Sequence, residues 1–398
     1  MSRKESLGHT PSSETMLLDA VSGLAPMLSD NAREAEQRRK PVDEVMAAIE
    51  GTGVYRYFVP KRFGGLEYSL EGFMHLGMNL GEACLSTAWV VTFCMEHNWL
   101  LSLFGQAAQE DIFGQQPYVV APGSLAPKGK AVEVEGGYRV TGRWQRGTGV
   151  MHADWAMVAA LTPLPGQKEP ALCMFILPIK EVEIIDTWHI DGMIGTGSND
   201  IAIHDVFIPQ HRMVNLADVR AGESPGALWH DSPLYKMPML PVLGLTATAP
   251  AVGAAKQAVT LFHERLQGRV VYGTTTKQGD KPVAQSRLAH ARAEALSVEN
   301  QLLHIARDVT AWGVSGETCP ELERARLRVE IGHVVKRSRD LVRDVVEACG
   351  ASAHFLDNPL QRMQRDLNTL SCHTVFDLDL ASEIYGRLLL GLPANAPI

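Results

Sequence analysis

Residues 14 to 115 space their apolar side chains as helices do. The stretch ETMLLDAVSGLAPMLSDNAREAEQRRK repeats apolar residues close to every 3.6 positions. The next helix is predicted to begin at Pro41 and to end at Gly51 or Gly53. A longer pattern, from Ser69 to Phe104, is apolar on nearly every side and breaks near Ser86, which predicts buried helices.

The pattern changes between residues 118 and 210. Short runs rich in Val, Ile and aromatic residues, such as AVEVEGGYRVTGRW and ALCMFILPI, are separated by Gly and Pro. The pair Gly136-Gly137 is a hairpin signal. These runs predict an antiparallel β domain of roughly 90 residues, either a sandwich or a barrel.

From about residue 232 the helical spacing returns. Three predicted helices end at Gly268, Gly313 and Gly350, and a fourth closes the chain. Three of the four are 20 residues or longer, which favours an antiparallel bundle. We therefore divide the chain into a helical domain (14–117), a β domain (118–231) and a helical bundle (232–398), an α+β fold.

Composition narrows the class of protein. Of 398 residues, 45% are hydrophobic, and the formal net charge is −8, so no strongly basic surface for nucleic acid is expected. Six scattered cysteines without a CxxC pair, a polar N-terminus and the lack of a long apolar run indicate a soluble cytoplasmic protein without a membrane partner. The fourteen histidines show no HxH or HExxH pair, so we expect no metal.

Two stretches of the β domain combine a Trp, a Gly-rich turn and a hydroxyl side chain. They are GRWQRGTGVMHADW and WHIDGMIGTGSNDIAIHDVFIP. Glycines let a backbone approach a flat ligand closely, and hydroxyl groups can bond its polar edge. Candidate ligand contacts are Trp144, Gly147, Thr148, Gly149, Thr196 and Ser198. On local physics alone, two ordinary turns with core tryptophans remain an open alternative.

The α–β–α order and these stretches resemble the acyl-CoA dehydrogenase superfamily. With VPKRFGGLEYSLEGF, CLSTAWVVTFCMEHNWLLSLF and QRMQRDLNTLSCHTVFDLD, the likeness runs from about residue 15 to 392. The chain is most similar to the branch of two-component (group D) flavin-dependent monooxygenases. That branch includes the oxygenase components for 4-hydroxyphenylacetate, a steroid-derived phenol, indole and dibenzothiophene. The resemblance implies an acyl-CoA dehydrogenase-like fold with a C-terminal four-helix bundle.

The resemblance also implies the chemistry. A separate NAD(P)H-flavin reductase supplies reduced FMN or FAD, and the oxygenase adds O2 to form a C4a-hydroperoxyflavin. That species hydroxylates a small aromatic or heteroaromatic, phenol- or indole-like substrate. A homotetramer is expected, because the long helices around 284–348 are too apolar for one small bundle to cover.

The resemblance assigns roles to individual residues. His373 stands at or next to the place of the dehydrogenase base, behind Arg365-Asp366, and is the candidate catalytic acid or base. Thr148 replaces the usual Ser whose hydroxyl bonds flavin N5, and Arg146 stands where an aromatic residue is frequent. The remaining candidates are Arg269, Gln285 and Gly350 for the cofactor across a subunit interface, and His97 and Trp99 for the substrate.

Other functions stay open at this point. An acyl-CoA dehydrogenase would need Glu347 or Asp377 as a displaced base. An amino-sugar N-oxygenase on the same fold and a helical scaffold without flavin are further alternatives. The residues alone do not choose the substrate, the flavin or the reductase.

Overall fold

The computed structural model describes residues 13–396, and in these the α-helices and strands follow the predicted order. The first six α-helices are α1 (Glu14–Ser22), α2 (Ala25–Arg38), α3 (Asp43–Gly51), α4 (Leu70–Ala83), α5 (Leu85–Leu101) and α6 (Gln106–Phe113). The break expected near Ser86 falls at Cys84, whose backbone is extended. Helix α3 begins at Asp43 rather than Pro41, because Val42 is still extended.

The strands form one open, mixed sheet. They are β1 (Gly123–Val134), β2 (Gly137–Trp144), β3 (Trp155–Thr162), β4 (Ala171–Pro178), β5 (Glu183–Ile185), β6 (Asp200–Pro209) and β7 (Met213–Asn215). Their order across the sheet is β5-β6-β2-β1-β3-β4-β7. The predicted barrel or sandwich is not confirmed, because within residues 13–396 the sheet does not close.

The prediction of a purely antiparallel domain was wrong at one pair. Strands β1 and β3 are parallel, whereas the other neighbouring pairs are antiparallel. The physical reason is the connection after β2. Residues 145–154 carry the chain past β1 to its other edge, so β3 runs in the direction of β1. This crossover contains the Gly147-Thr148-Gly149 turn.

A second irregularity lies in β1 itself. Ser124 pairs with Val158 and Gly129 pairs with Ala160, so residues 125–128 stand opposite a single residue of β3. Such a bulge pushes the extra residues out of the pleated surface. These residues contribute to the wall of the cavity described below.

The helices after the sheet are α7 (Leu216–Ala221), α8 (Pro225–Trp229), α9 (Met239–Gly268), α10 (Pro282–Ser315), α11 (Glu321–Cys349), α12 (Pro359–Leu370) and α13 (Leu378–Leu389). The three longest have 30, 34 and 29 residues and pack against one another. Helices before and after the sheet share one continuous apolar core, which includes buried residues of β3 and β4, and the other face of the sheet has a core of its own. No helix within residues 13–396 is long and apolar enough to span a bilayer.

Helices α4 and α9 contact each other at glycines, which have no side chain. A Cβ at Gly81 would lie 2.2 Å from the Pro250 carbonyl oxygen, and one at Gly253 would lie 2.0 Å from the Met78 carbonyl oxygen. Both separations are below van der Waals contact, so only glycine allows the backbones this close. The contact joins the helices before and after the sheet.

We expect Gly253→Ala to lower the free energy of unfolding by about 1–3 kcal/mol, since the added methyl group forces α4 and α9 apart. Gly386→Ala in α13 is the matched control, because a Cβ there meets nothing within 4 Å. It should raise stability by roughly 0.5–1 kcal/mol through helix propensity. Denaturant unfolding measures both variants. Equal effects of the two substitutions would contradict the close packing.

Candidate active site

Two cavities adjoin where the sheet meets the helices. The large cavity, of about 580 Å³, lies between α5, α9 and the β1 bulge. The small cavity, of about 210 Å³, lies between the Gly-rich loops of the β domain and the end of α12. Four residues line both: Phe93, Gly123, Arg146 and His373. The residues on this common wall can act on a ligand in either cavity.

His373 occupies the turn between α12 and α13. Its Nδ1 accepts the backbone N–H of Val375 at 3.3 Å. Its ring lies edge-on to Trp89 and Phe93, with ring centroids 5.7 and 6.2 Å away. Burial, helped by the charge of Arg146, lowers the pKa of His373 to about 4. The imidazole is therefore neutral at pH 7, with its proton on Nε2, where it can donate a hydrogen bond.

His97, on α5, is oriented the opposite way. Its Nδ1–H donates to the Ala121 carbonyl oxygen at 2.5 Å, which leaves Nε2 as an acceptor. That ring edge faces the cavity wall, since a Cβ on Gly123 would lie 3.0 Å from His97 Nε2. Burial lowers the pKa of His97 to about 4. The ring of Phe93 lies between the two imidazoles, so the site pairs one donor with one acceptor.

The two Gly-rich stretches meet in a row of hydroxyl groups. Thr148 Oγ1 is 3.0 Å from Ser198 Oγ, which is 2.9 Å from Thr196 Oγ1. Thr196 donates to the Met193 carbonyl oxygen at 3.0 Å. All three side chains line the small cavity. Since Thr196 uses its one proton on Met193, Ser198 donates to Thr196 and Thr148 donates to Ser198. Thr148 Oγ1 is therefore left as an acceptor for a ligand N–H.

Glycines bring this row together. The N–H of Gly147 donates to the Asn199 carbonyl oxygen at 2.8 Å and ties the two stretches to each other. Gly149 has φ 86° and lies against α5, where a Cβ would be 2.9 Å from Cys94 Sγ. The indoles of Trp89 and Trp188 form further walls of the small cavity. Flat aromatic walls and a row of hydroxyl groups fit the ring system of a flavin.

The Arg365-Asp366 pair holds this arrangement in place. The Asp366 carboxylate is buried and accepts the Met193 N–H at 2.5 Å and the Ser86 hydroxyl at 3.3 Å. Burial raises the pKa of Asp366 to about 6. Arg365 donates to the Asp191 carbonyl oxygen at 2.6 Å and forms an ion pair with Glu36. The pair is a structural clamp on the loop that carries Thr196 and Ser198.

Glu96 is a residue of the large cavity that the sequence analysis missed. It is buried, accepts a hydrogen bond from the Thr246 hydroxyl, and lines the cavity next to His97. Burial raises the pKa of Glu96 to about 8, so the carboxyl group is largely protonated at neutral pH. The sequence signal that could have identified Glu96 is its position as the single charged residue of an otherwise uncharged, apolar helix.

Several sequence candidates lie away from the cavities. Trp144 is fully buried in the sheet core, where it fills the space beside Gly129 and donates to the Ala159 carbonyl oxygen. Trp99 is equally buried, and its indole N–H donates to the Leu234 carbonyl oxygen. Neither lines the cavities. Their placement favours the packing role that the sequence left open for Trp144.

The three candidates for cofactor contacts across a subunit interface, Arg269, Gln285 and Gly350, lie at the end of the bundle, away from both cavities. Arg269 donates to the Ser352 hydroxyl at 2.9 Å, close to Gly350, which ends α11 with φ 67°. Gln285 donates instead to the Gly279 carbonyl oxygen at 3.0 Å. None of the three lines either cavity. No cluster of metal-binding side chains occurs in the described part of the chain.

Comparison with known proteins agrees with this geometry. Residues 245–378 match the model of the acyl-CoA dehydrogenase C-terminal domain family. A pigment production hydroxylase of Rhodococcus sp. (strain ATCC 21145) is 34% identical over 384 residues, covering 96% of this chain and 98% of the relative. The oxygenase subunit HsaA, a flavin-dependent monooxygenase of Mycobacterium tuberculosis, is 33% identical over 95% of this chain and 96% of the relative.

A solved structure gives the same result. XiaF from Streptomyces sp., in complex with FADH2 and glycerol, is 29% identical and superposes with a TM-score of 0.90. The match covers 96% of this chain and 97% of XiaF. The similarity therefore extends over both cavities and all three regions of the chain.

Glu96 generates a prediction about pH and stability. Its ordinary pKa of 4.5 applies to the unfolded chain, whereas the folded chain holds the proton up to about pH 8. Between these values ionisation favours unfolding, at about 1.4 kcal/mol per pH unit. The stability of Glu96→Gln, relative to the unchanged chain, should rise from pH 5 to pH 8 and then level off.

Denaturant unfolding at pH 5, 6, 7, 8 and 9 measures that difference. Glu264→Gln makes the same chemical change on the exposed side of α9 and is the matched control. If the difference for Glu96→Gln changes with pH no more than the difference for Glu264→Gln, burial does not hold the proton on Glu96.

Proposed function

Because the chain belongs to the oxygenase components of two-component flavin-dependent monooxygenases, which have the acyl-CoA dehydrogenase fold, we propose that it hydroxylates a phenol- or indole-like substrate. Reduced flavin comes from a separate reductase, and O2 is the second substrate. Relatives named as hydroxylases of phenols and indole compounds support this class. The observation that carries the proposal is His373 on the wall common to both cavities.

The small cavity is the proposed place of the flavin ring, and the large cavity that of the substrate. Bound reduced flavin, FMNH2 or FADH2, supplies the electrons and the reaction with O2. Thr148 bonds the polar edge of the ring. Its hydroxyl donates to Ser198, so its oxygen is free to accept a hydrogen bond from an N–H of the reduced ring.

The two imidazoles divide the handling of protons. In this proposal His97 Nε2 accepts a hydrogen bond from a substrate hydroxyl or indole N–H, and His373 Nε2–H is the donor on the wall common to both cavities. Because Nε2 already carries a proton, His373 can take up a second one only at Nδ1, by giving up the bond from Val375, which is weak at 3.3 Å. Phe93 and Leu243 keep the surroundings apolar and exclude water from the reacting groups.

The alternative functions are not supported. Glu347 is exposed on α11, and Asp377 caps α13 by accepting the Leu380 N–H at 3.0 Å. Neither lines either cavity, so neither can serve as the displaced base of an acyl-CoA dehydrogenase. The relatives also give no support to an amino-sugar N-oxygenase.

We propose that the chain functions as a homotetramer in the cytoplasm. Exposed apolar side chains support subunit contacts at two places: Phe355 and Leu356 after the C-terminal end of α11, and Leu389 and Leu390 at the end of α13, which packs near Ala325 at the other end of α11. A contact at Phe355 and Leu356 would bring Arg269 and Gly350 to a neighbour's cofactor. Helix α13, which packs on α11, is the candidate fourth helix of the bundle. The three domains proposed from the sequence (14–117, 118–231 and 232–398) are kept.

We expect turnover with a generic flavin reductase, NADH and a phenol or indole panel to give products 16 mass units heavier than the substrate. In His373→Ala and His373→Asn, product formation should fall by at least about 10²-fold, because general acid–base help contributes about 10²- to 10⁴-fold. Oxygen should still be consumed, with H2O2 released in place of the hydroxylated product. Product and H2O2 are measured in the same assay.

Reduced-flavin affinity is the control for these variants, and we expect it to change little. If His373 only packs the turn, both variants would lose thermal stability while the ratio of product to oxygen consumed stayed unchanged. The absence of any oxygenated product over the whole panel would refute the proposed function itself.

We expect sedimentation equilibrium to give four times the chain mass of 43.5 kDa. Leu390→Glu should shift the protein toward smaller species, because it places charge in the proposed contact. Glu383→Gln, on the exposed side of the same helix, should not. A purely monomeric mass for the unchanged protein would exclude the tetramer.

A further inference from the structure

The large cavity has an excess of positive charge. Its lining includes Lys128, Arg146, Arg220 and Arg328. None of the four forms a salt bridge with a carboxylate within residues 13–396, although Asp377 lies close enough to attract Arg328. The one acidic group of the lining, Glu96, holds its proton at neutral pH. The cavity therefore carries four cations without a salt bridge, Arg220 and Arg328 half-buried and Lys128 and Arg146 exposed, in a chain of net charge −8.

Arg220 and Arg328 are half-buried, so each guanidinium group loses part of its hydration. The Nε of Arg220 is buried with no hydrogen-bond partner among the described residues. Burial lowers the pKa of Arg220, and the nearby charge of Arg324 lowers it further. Burial also lowers the pKa of Arg328, whose one hydrogen bond is a long one, 3.4 Å to the Thr374 carbonyl oxygen. Unpaired buried cations are uncommon unless a ligand neutralises them.

The other two cations are placed by irregular backbone. Lys128 belongs to the β1 bulge, which carries it out of the sheet toward the cavity. Arg146 has φ 65°, a left-handed conformation that non-glycine residues rarely adopt. Strained conformations of this kind are concentrated at functional sites. Four different segments of the fold thus direct cations to one apolar cavity.

We propose, on the basis of the proposed function, that the aromatic substrate is an organic anion whose carboxylate is bound by Arg220 and Arg328 of the large cavity. Guanidinium groups bind carboxylates in a bidentate manner and lose less hydration than an ammonium group does. Lys128 and Arg146 add a positive field that attracts the anion. The apolar side chains Leu240, Leu243 and Ile331 hold its rings.

The test uses matched pairs of probes in the full-length protein with reduced flavin bound under anaerobic conditions. The pairs are 4-hydroxyphenylacetate with 4-hydroxyphenylacetamide, and 6-hydroxy-2-naphthoate with its amide. Calorimetry gives the two dissociation constants of each pair, and product analysis in air gives the two values of kcat/KM. Each acid and its amide differ in charge but hardly in size.

We expect at least one acid to bind ten-fold or more tightly than its amide in the unchanged protein, with a preference that shrinks as salt is added. In the double variant Arg220→Gln, Arg328→Gln the two constants should approach each other, with the change mainly in KM. The double variant Arg220→Lys, Arg328→Lys should keep much of the preference and shows that loss of charge, not misfolding, is measured. Arg292→Gln, an exposed residue of α10, is the control for net charge.

The outcomes separate this inference from the proposed function. Equal binding of acid and amide in the unchanged protein, or a preference that survives in the double Gln variant, overturns the inference while hydroxylation still occurs. Failure of every probe to bind overturns it as well. A charge-dependent preference without any oxygenated product supports the anion site and counts against the monooxygenase function instead.

Discussion

The buried carboxylate of Asp366 is the contact on which the geometry of the site depends. It accepts hydrogen bonds from the loop at Met193 and from the start of α5 at Ser86, while its own helix, α12, leads directly to His373. One side chain thus fixes the β-domain hydroxyl groups, the helix of His97 and the turn of His373 relative to one another. A buried carboxylate is costly unless its hydrogen bonds are made, so these elements are held together as a unit.

Backbone groups give the two imidazoles their separate tasks. A neutral imidazole has one donor and one acceptor nitrogen, and the backbone decides which of them faces the ligand. His97 donates its Nδ1–H to the Ala121 carbonyl oxygen, which leaves Nε2 as an acceptor. His373 Nδ1 accepts the Val375 N–H, which leaves Nε2–H as a donor. The site can therefore bind a hydroxyl group at one imidazole and an oxygen acceptor at the other without a charge on either ring. An uncharged pair suits an apolar cavity, because neither ring needs a counter-ion.

Periodicity predicted the order of helices and strands well, because the apolar spacing of α4, α5 and the three long helices follows directly from burial. The parallel pairing of β1 with β3 was not predictable in this way, since it depends on the path of the crossover and not on the strands' own residues. The resemblance placed His373 and Thr148 on the cavity walls. It did not identify Glu96, Arg220 or Arg328, because a lone charged residue in a helix has no local pattern that separates a cavity wall from the surface.

The positive charge of the large cavity and the neutrality of His373 are linked through Arg146. This guanidinium lines both cavities and, after burial, is the second cause of the low pKa of His373. An anionic substrate beside Arg146 would offset that charge and raise the pKa of His373 toward its ordinary value of 6.5. A histidine that is neutral in the empty cavity would then hold a proton more readily once the substrate is bound. Substrate charge and proton supply are thereby coupled at the residue that borders both cavities.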